Sequence, residues 1–233
     1  MFRVLSLLSL LVLTPQHGTA TSLQEAIAEP NLSINSVPFT TRVYWMRRAN
    51  AVLLELGSPC PFSAFASVIV NHTAAGLGKL VCTGGNMNRQ TGNPTLHGEI
   101  TAIQNCSAIL TDLAGPYKLS PARALDAFAE LSLYTNAESC PMCASAIRWS
   151  GLREYIYGTS VETLVQQGWG QIRIPSLEVF RQSFDLPNPA RLLGGVLTNE
   201  TDPYLSWQFN PEYPCPAGCA RSATTNSCVA VGA

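Results

Sequence analysis

Two short clusters in the sequence combine side chains able to hold a metal ion and to move a proton. Cys140-Pro141-Met142-Cys143 sets two thiols three residues apart, a spacing that brings them to one face of a helix. Pro141 suits the first helical turn, and a helix N-terminus favours the thiolate, the form that ligates a metal. Alone, the motif is read more readily as a structural or redox disulfide. His97-Gly98-Glu99 changes that balance. Of three histidines, His17 lies in the N-terminal apolar segment and His72 in the turn-like Asn71-His72-Thr73, whereas His97 opens a helix after strand-like sequence. One imidazole and two thiolates fill three positions around a tetrahedral Zn2+ and leave the fourth for water, the open coordination of a catalytic site. Glu99, two residues from a ligand, is placed to take a proton from that water and return it later.

The elements that must position these groups can be read from periodicity and turn residues. Apolar residues recur at helical spacing over 40–56, with Gly57 as the stop. Residues 64–70 and 80–83 read as two strands of a hairpin around a glycine-rich turn at 74–79. A loop over 84–94 leads to a helix at 95–110, with Thr95 as its N-cap. A proline-containing connector spans 113–126, a strand 129–134, a helix 141–149 ended by Gly151, and a strand 153–157. Helical patterns follow at 161–167 and, more weakly, 177–184. This alternation predicts an α/β fold with one mixed sheet covered by helices, and no internal repeat is present.

Composition bears on compartment and partners. Residues 1–20 have Arg3, an apolar run from Val4 to Leu13 and the small residues Gly18-Thr19-Ala20, the pattern of a cleaved signal peptide. The run is too short to span a bilayer, so a secreted protein without membrane attachment after cleavage is expected. Sequons at Asn31, Asn71, Asn105 and Asn199 and eight cysteines agree with that route. With Cys140 and Cys143 set aside, Cys60, Cys82, Cys106, Cys215, Cys219 and Cys228 allow up to three disulfides. Cys82 and Cys106 are alternatively buried free thiols, one on a strand and one on a helix. The net charge of −1 gives no basic surface for a nucleic-acid backbone, which favours a small substrate over a nucleic-acid polymer.

Pro61-Phe62, Gly85-Asn86, Asn93-Pro94-Thr95-Leu96-His97-Gly98-Glu99, Leu133-Tyr134-Thr135 and Glu138-Ser139-Cys140-Pro141-Met142-Cys143-Ala144 together resemble the cytidine deaminase superfamily. Within it they are most similar to the branch of guanine deaminases and tRNA adenosine deaminases. The resemblance runs from about residue 43 to 174. It implies a three-layer α/β/α fold with about five strands, organised as a 21–39 leader, a deaminase domain over 40–186 and a 187–233 cysteine-containing extension. It also implies Zn2+ on His97, Cys140 and Cys143, Glu99 as catalytic acid and base, Asn86 as a substrate-binding amide, and a tendency to form homodimers. Phe62 is a candidate to flank the substrate and Trp169, between two glycines, to cover it. The implied reaction is deamination of a purine base or nucleoside, with cytosine or cytidine as the alternative. Ser139 stands where the family usually has proline, and a serine there is expected to cap the following helix. Two readings of another class compete: a secreted thiol–disulfide protein using Cys140 and Cys143, and a catalytically dead zinc-binding member.

Overall fold

The computed structural model describes residues 32–73 and 76–231; the predicted signal peptide and the Asn31 sequon lie outside them. A short hairpin, β1 (Ser33–Ile34) and β2 (Val37–Pro38), leads into α1 (Phe39–Glu55). Its turn residues Asn35 and Ser36 both have positive φ, as tight two-residue hairpins require. The order continues β3 (Ala66–Asn71), β4 (Lys79–Gly85), α2 (Asn88–Thr91), α3 (Gly98–Thr111), α4 (Pro121–Ala127), β5 (Leu131–Ala137), α5 (Pro141–Ser150) and β6 (Glu154–Thr159). Then come α6 (Val161–Gln166), α7 (Ser176–Gln182), β7 (Arg191–Leu193), α8 (Thr198–Thr201), α9 (Pro203–Ser206), β8 (Cys219–Arg221) and β9 (Cys228–Ala230). The central sheet has the order β4-β3-β5-β6-β7. Its first two pairings are antiparallel and its last two parallel. This is the mixed sheet that the sequence pattern predicts, with the five strands that the resemblance implies.

Side chains on successive sheet residues point to opposite faces, and each face has its own apolar cover. Val68, Val70, Tyr134 and Ile156 pack under α1 through Trp45, Met46, Ala49 and Leu53. Ile69, Leu133 and Tyr155 pack with Ala102, Cys106 and Leu110 of α3 and Ile147 of α5. All of β5 is buried, as expected for a strand covered on both sides. Gly84 lets α3 approach β4, because a Cβ there would meet the backbone nitrogen of Ala102 at 2.2 Å.

At the sheet end away from Cys140, Arg42 and Glu154 form a 3.0 Å ion pair with both side chains 1% exposed. Glu154 also accepts from Ser132 Oγ at 2.9 Å and Asn35 Nδ2 at 2.7 Å. Burial pushes its carboxyl up, but Arg42 and these donors outweigh burial and hold it below its ordinary value of 4.5. Arg42→Ala strands a buried carboxylate and is expected to cost about 3–5 kcal/mol in denaturant unfolding. Because the folded value is depressed, the pair's contribution is complete above the ordinary carboxyl range and is lost as pH falls through the folded value. The gap between wild type and Arg42→Ala should therefore narrow in acid.

Several elements differ from the expected ones for identifiable reasons. Thr95 does not cap α3: Asn93 Oδ1 accepts from both Thr95 N (3.0 Å) and Thr95 Oγ1 (2.7 Å), so helix formation waits until His97, the N-cap. The 113–126 connector contains α4, capped by the Ser120 hydroxyl with Pro121 in its first turn; seven residues are too few to show a period. The fifth strand, β7, and the core residues Val196 and Leu205 come from the stretch expected to be an extension. Three disulfides form: Cys60–Cys219, Cys82–Cys106 and Cys215–Cys228. The free-thiol alternative for Cys82 and Cys106 is thereby corrected, because α3 packs directly on β4 and brings the two sulfurs together. No helix among the described residues is long and apolar enough to cross a membrane.

Candidate active site

The start of β3 and the ends of β4, β5 and β6 meet along one sheet edge, and both chemistry-bearing clusters are set there. His97 follows the loop after β4 as the N-cap of α3, with extended backbone (φ −75°, ψ 166°). Gly98 permits this helix start to press on β3, since a Cβ would meet Phe65 O at 3.1 Å. Cys140 follows β5 as the N-cap of α5, with Pro141 opening the helix and Cys143 one turn in. His97 Nδ1 lies 3.6 Å from Cys140 Sγ and 3.7 Å from Cys143 Sγ, and the three ligand atoms are all within 4.8 Å of one another. Zinc at ordinary Zn–S and Zn–N lengths needs ligand atoms about 3.5–3.8 Å apart in a tetrahedron. The group therefore fits that ion with little adjustment. Cys140 and Cys143 are not bonded to each other, whereas the other six cysteines are paired.

The electrostatics of the cluster point the same way. The Cys143 thiol hydrogen-bonds to Cys140 and, against the opposing effect of burial and with help from His97, holds Cys140 down to about 4. That bond, together with burial, pushes Cys143 up. Hydrogen bonding to Cys140 raises His97 despite its partial burial. Two sulfurs thus compete for one proton, a conflict that a coordinated cation removes by stabilising both as thiolates. Glu99, in the first turn of α3, is 6% exposed. Burial raises its carboxyl above the ordinary value, opposed by Ser139 and its own backbone amide.

His97, Glu99 and Cys140 line a cavity of about 200 Å³ together with Phe65, Asn86, Asn88, Glu138, Trp169 and Gln171. Cavities of 500–540 Å³ lie elsewhere on the surface, but their walls lack the His97, Cys140 and Cys143 group. Asn86 is buried; its amide nitrogen in the backbone donates to Phe65 O at 2.9 Å, and its Oδ1 accepts from Asn88 N at 3.2 Å. Trp169 stands edge-on to Phe65 with ring centroids 4.9 Å apart, and its Nε1 donates to Leu205 O at 2.7 Å. Phe62 is not on this wall. It packs behind Trp169, at 5.7 Å between centroids, and lines an adjoining recess of about 230 Å³ that shares Ser63, Asn86 and Asn88 with the cavity. Ser139 does not act as a cap: Cys140 holds the N-cap position, and the Ser139 amide donates to Tyr155 Oη at 2.6 Å.

Sequence reasoning missed Asn88, Glu138 and Gln171 on the wall. Asn88 Oδ1 is buried without a protein partner, the state of an acceptor that a bound donor would satisfy. Glu138, which follows the buried strand β5, and Gln171 carried no signal that sequence alone could single out.

Residues 40–159 match the sequence model of the cytidine and deoxycytidylate deaminase zinc-binding region. The chain is 26% identical over 147 residues to a guanine deaminase of Bacillus subtilis (strain 168), across 62% of this chain and 79% of that protein. It is also 51% identical over 35 residues to a probable cytosine deaminase of Schizosaccharomyces pombe, a match covering 15% of this chain and 22% of the relative. Among solved structures, guanine deaminase from Nitrosomonas europaea aligns with a TM-score of 0.51 at 17% identity, over 82% of this chain and 96% of that one. A mutant protein crystallised with 8-azaguanine aligns with a TM-score of 0.53 at 18% identity, over 70% and 81% of the respective chains.

Proposed function

Since the chain belongs to the cytidine and deoxycytidylate deaminase zinc-binding family, a family of hydrolases acting on C–N bonds, we propose that it removes the amine from a free purine base. The observation that carries this reading is a buried carboxyl, Glu99, sharing one small cavity with a zinc-type ligand set, an aromatic wall and three side-chain amides. A cavity of about 200 Å³ falls below the ~300–1,000 Å³ of sites for larger ligands, which favours a base over its nucleoside. The likeness to guanine deaminases supports a purine.

In this reading His97, Cys140 and Cys143 hold zinc, which supplies activated water at neutral pH. Glu99 would take one proton from the attacking water at a carboxylate oxygen and pass it to the ring nitrogen as the new C–O bond forms; it would then take the remaining hydroxyl proton and pass it to the amine, so that the C–N bond breaks, ammonia leaves and the ring carbon becomes a carbonyl. Burial of Glu99 suits both halves of this exchange, because a carboxyl raised toward neutrality both accepts and gives up a proton readily. Phe65 and Trp169, packed edge to face, form one aromatic wall against which the ring lies and which excludes bulk water. Asn86, with Oδ1 committed to Asn88, offers its amide nitrogen to a ring acceptor. Asn86→Ala is then expected to raise KM by about tenfold to a hundredfold with zinc retained, the loss of one substrate hydrogen bond.

Ammonia release from guanine, adenine, their nucleosides, cytosine and cytidine tests the reading. Turnover of a purine base supports it. Turnover of cytosine alone favours the second reading, which the local match to a probable cytosine deaminase supports. Silence across the panel with zinc bound returns the dead-member reading, and silence without zinc and with Cys140 joined to Cys143 returns the redox one. Three disulfides are consistent with an extracellular protein, and we place its action outside the producing cell.

A further inference from the structure

Residues 161–176 form the outer wall of the candidate site. Their helical ends, α6 and the start of α7, flank an irregular stretch over 167–175 that supplies Trp169, Gly170 and Gln171 to the cavity. Such a stretch has few backbone bonds of its own and would ordinarily be among the first parts of a fold to open. Both of its ends converge on one side chain. Glu138 Oε2 accepts from Val161 N at 2.9 Å. Glu138 Oε1 accepts from Ser176 N at 2.8 Å and from Ser176 Oγ at 2.6 Å. Glu138 is 7% exposed and Ser176 is fully buried, so these bonds are shielded from competing water. The Glu138 amide, in turn, donates to Thr159 O at 2.7 Å, which fixes the carboxylate to the end of β6 and, two residues before Cys140, to the ligand loop.

We propose that Glu138 is a positioning residue that clamps both ends of the 161–176 segment and thereby holds Trp169 and Gln171 over the substrate. The inference rests on the reading of this cavity as the substrate site. A carboxylate is the side chain that fits the task, because it accepts on both oxygens. Glutamine can serve one end only, since its –NH2 would face a backbone N–H at the other. The Trp169 Nε1 bond to Leu205 O pins the middle of the segment, but it leaves the two ends to Glu138.

The test is amide hydrogen exchange of the full chain, with zinc content and KM measured alongside, for Glu138→Gln and Val161→Pro. Val161 is the first residue of α6, where proline's fixed φ is tolerated. Ser160, at φ −75° and ψ 158°, already has the extended backbone a following proline demands. Val161→Pro therefore removes one end of the clamp and leaves Glu138 in place. The expected result is exchange about tenfold or more faster over 167–175 in both variants, with α3, β5 and β6 protected as before, zinc retained, and KM raised more than kcat is lowered. Unchanged exchange in that stretch overturns the proposal. A uniform rise across the sheet also overturns it, since Glu138 would then be a general stabiliser. A rise in Glu138→Gln without one in Val161→Pro overturns the two-ended clamp. If the wild-type protein turns over no substrate, the deaminase reading fails, while exchange still decides the clamp.

Discussion

Glu99→Gln is expected to keep a full complement of zinc, fold with raised thermal stability and lose turnover by about 10²–10⁴-fold or more. The substitution conserves size at a position only 6% exposed, and it removes the carboxyl beside the ligand set, whereas the other carboxyl on the cavity wall, Glu138, is committed to Val161 and Ser176. A carboxyl kept there against the desolvation that raises it is a burden to folding unless it works, because glutamine would satisfy the same neighbours with less penalty. Parallel measurement of ammonia release, zinc by mass spectrometry and thermal melting checks the prediction. A variant with near wild-type turnover would remove Glu99 from the mechanism.

Replacing a ligand gives a different signature. Cys143→Ala is expected to lower bound zinc below about a tenth of stoichiometric, abolish turnover and reduce the melting temperature, because metal binding to a formed site is also folding free energy. His97 Nδ1 and the two sulfurs belong to separate parts of the chain, one at the start of α3 and two at the start of α5, so an ion held by all three would tie these helices together. Wild-type protein should melt earlier in chelator and recover on adding zinc, whereas Cys143→Ala should be insensitive to either treatment. Retention of the chelator response in the variant would show that the metal sits elsewhere.

The chemistry was more legible than the architecture around it. His97, Glu99, Cys140 and Cys143 stand out because few residue types ligate zinc or shuttle protons, and their short spacings survive translation into helix starts. Asn86 and Trp169 were reachable through a loop position and a glycine-flanked aromatic, and both line the cavity. Phe62 was not separable from a packing residue by sequence, and it packs one layer behind. The elements missed were the short ones: α4, with its Ser120 cap, and β7, three residues that join the sheet by pairing with β6. Neither is long enough to carry a period, and β7 is specified by its partner strand more than by its own residues. Glu138 was passed over for a related reason, since its role is defined by Val161 and Ser176, which sequence alone does not bring to it.

The Cys60–Cys219 bond joins residues 159 apart, and every residue named on the candidate site lies between them. The polypeptide is therefore a covalent ring with two tails, and the site is on the ring. A protease that cuts once within it, at any exposed loop from the 76–79 turn to the stretch before β8, releases no fragment. The nicked molecule runs as one band without reductant and as two with it. Its halves also stay at the high effective concentration of a single chain, which favours their remaining docked. Tolerance of a single cut is thus built into the connectivity, and it ends when that disulfide is reduced, except for a cut between Cys82 and Cys106 or between Cys215 and Cys219, where a second disulfide also joins the halves.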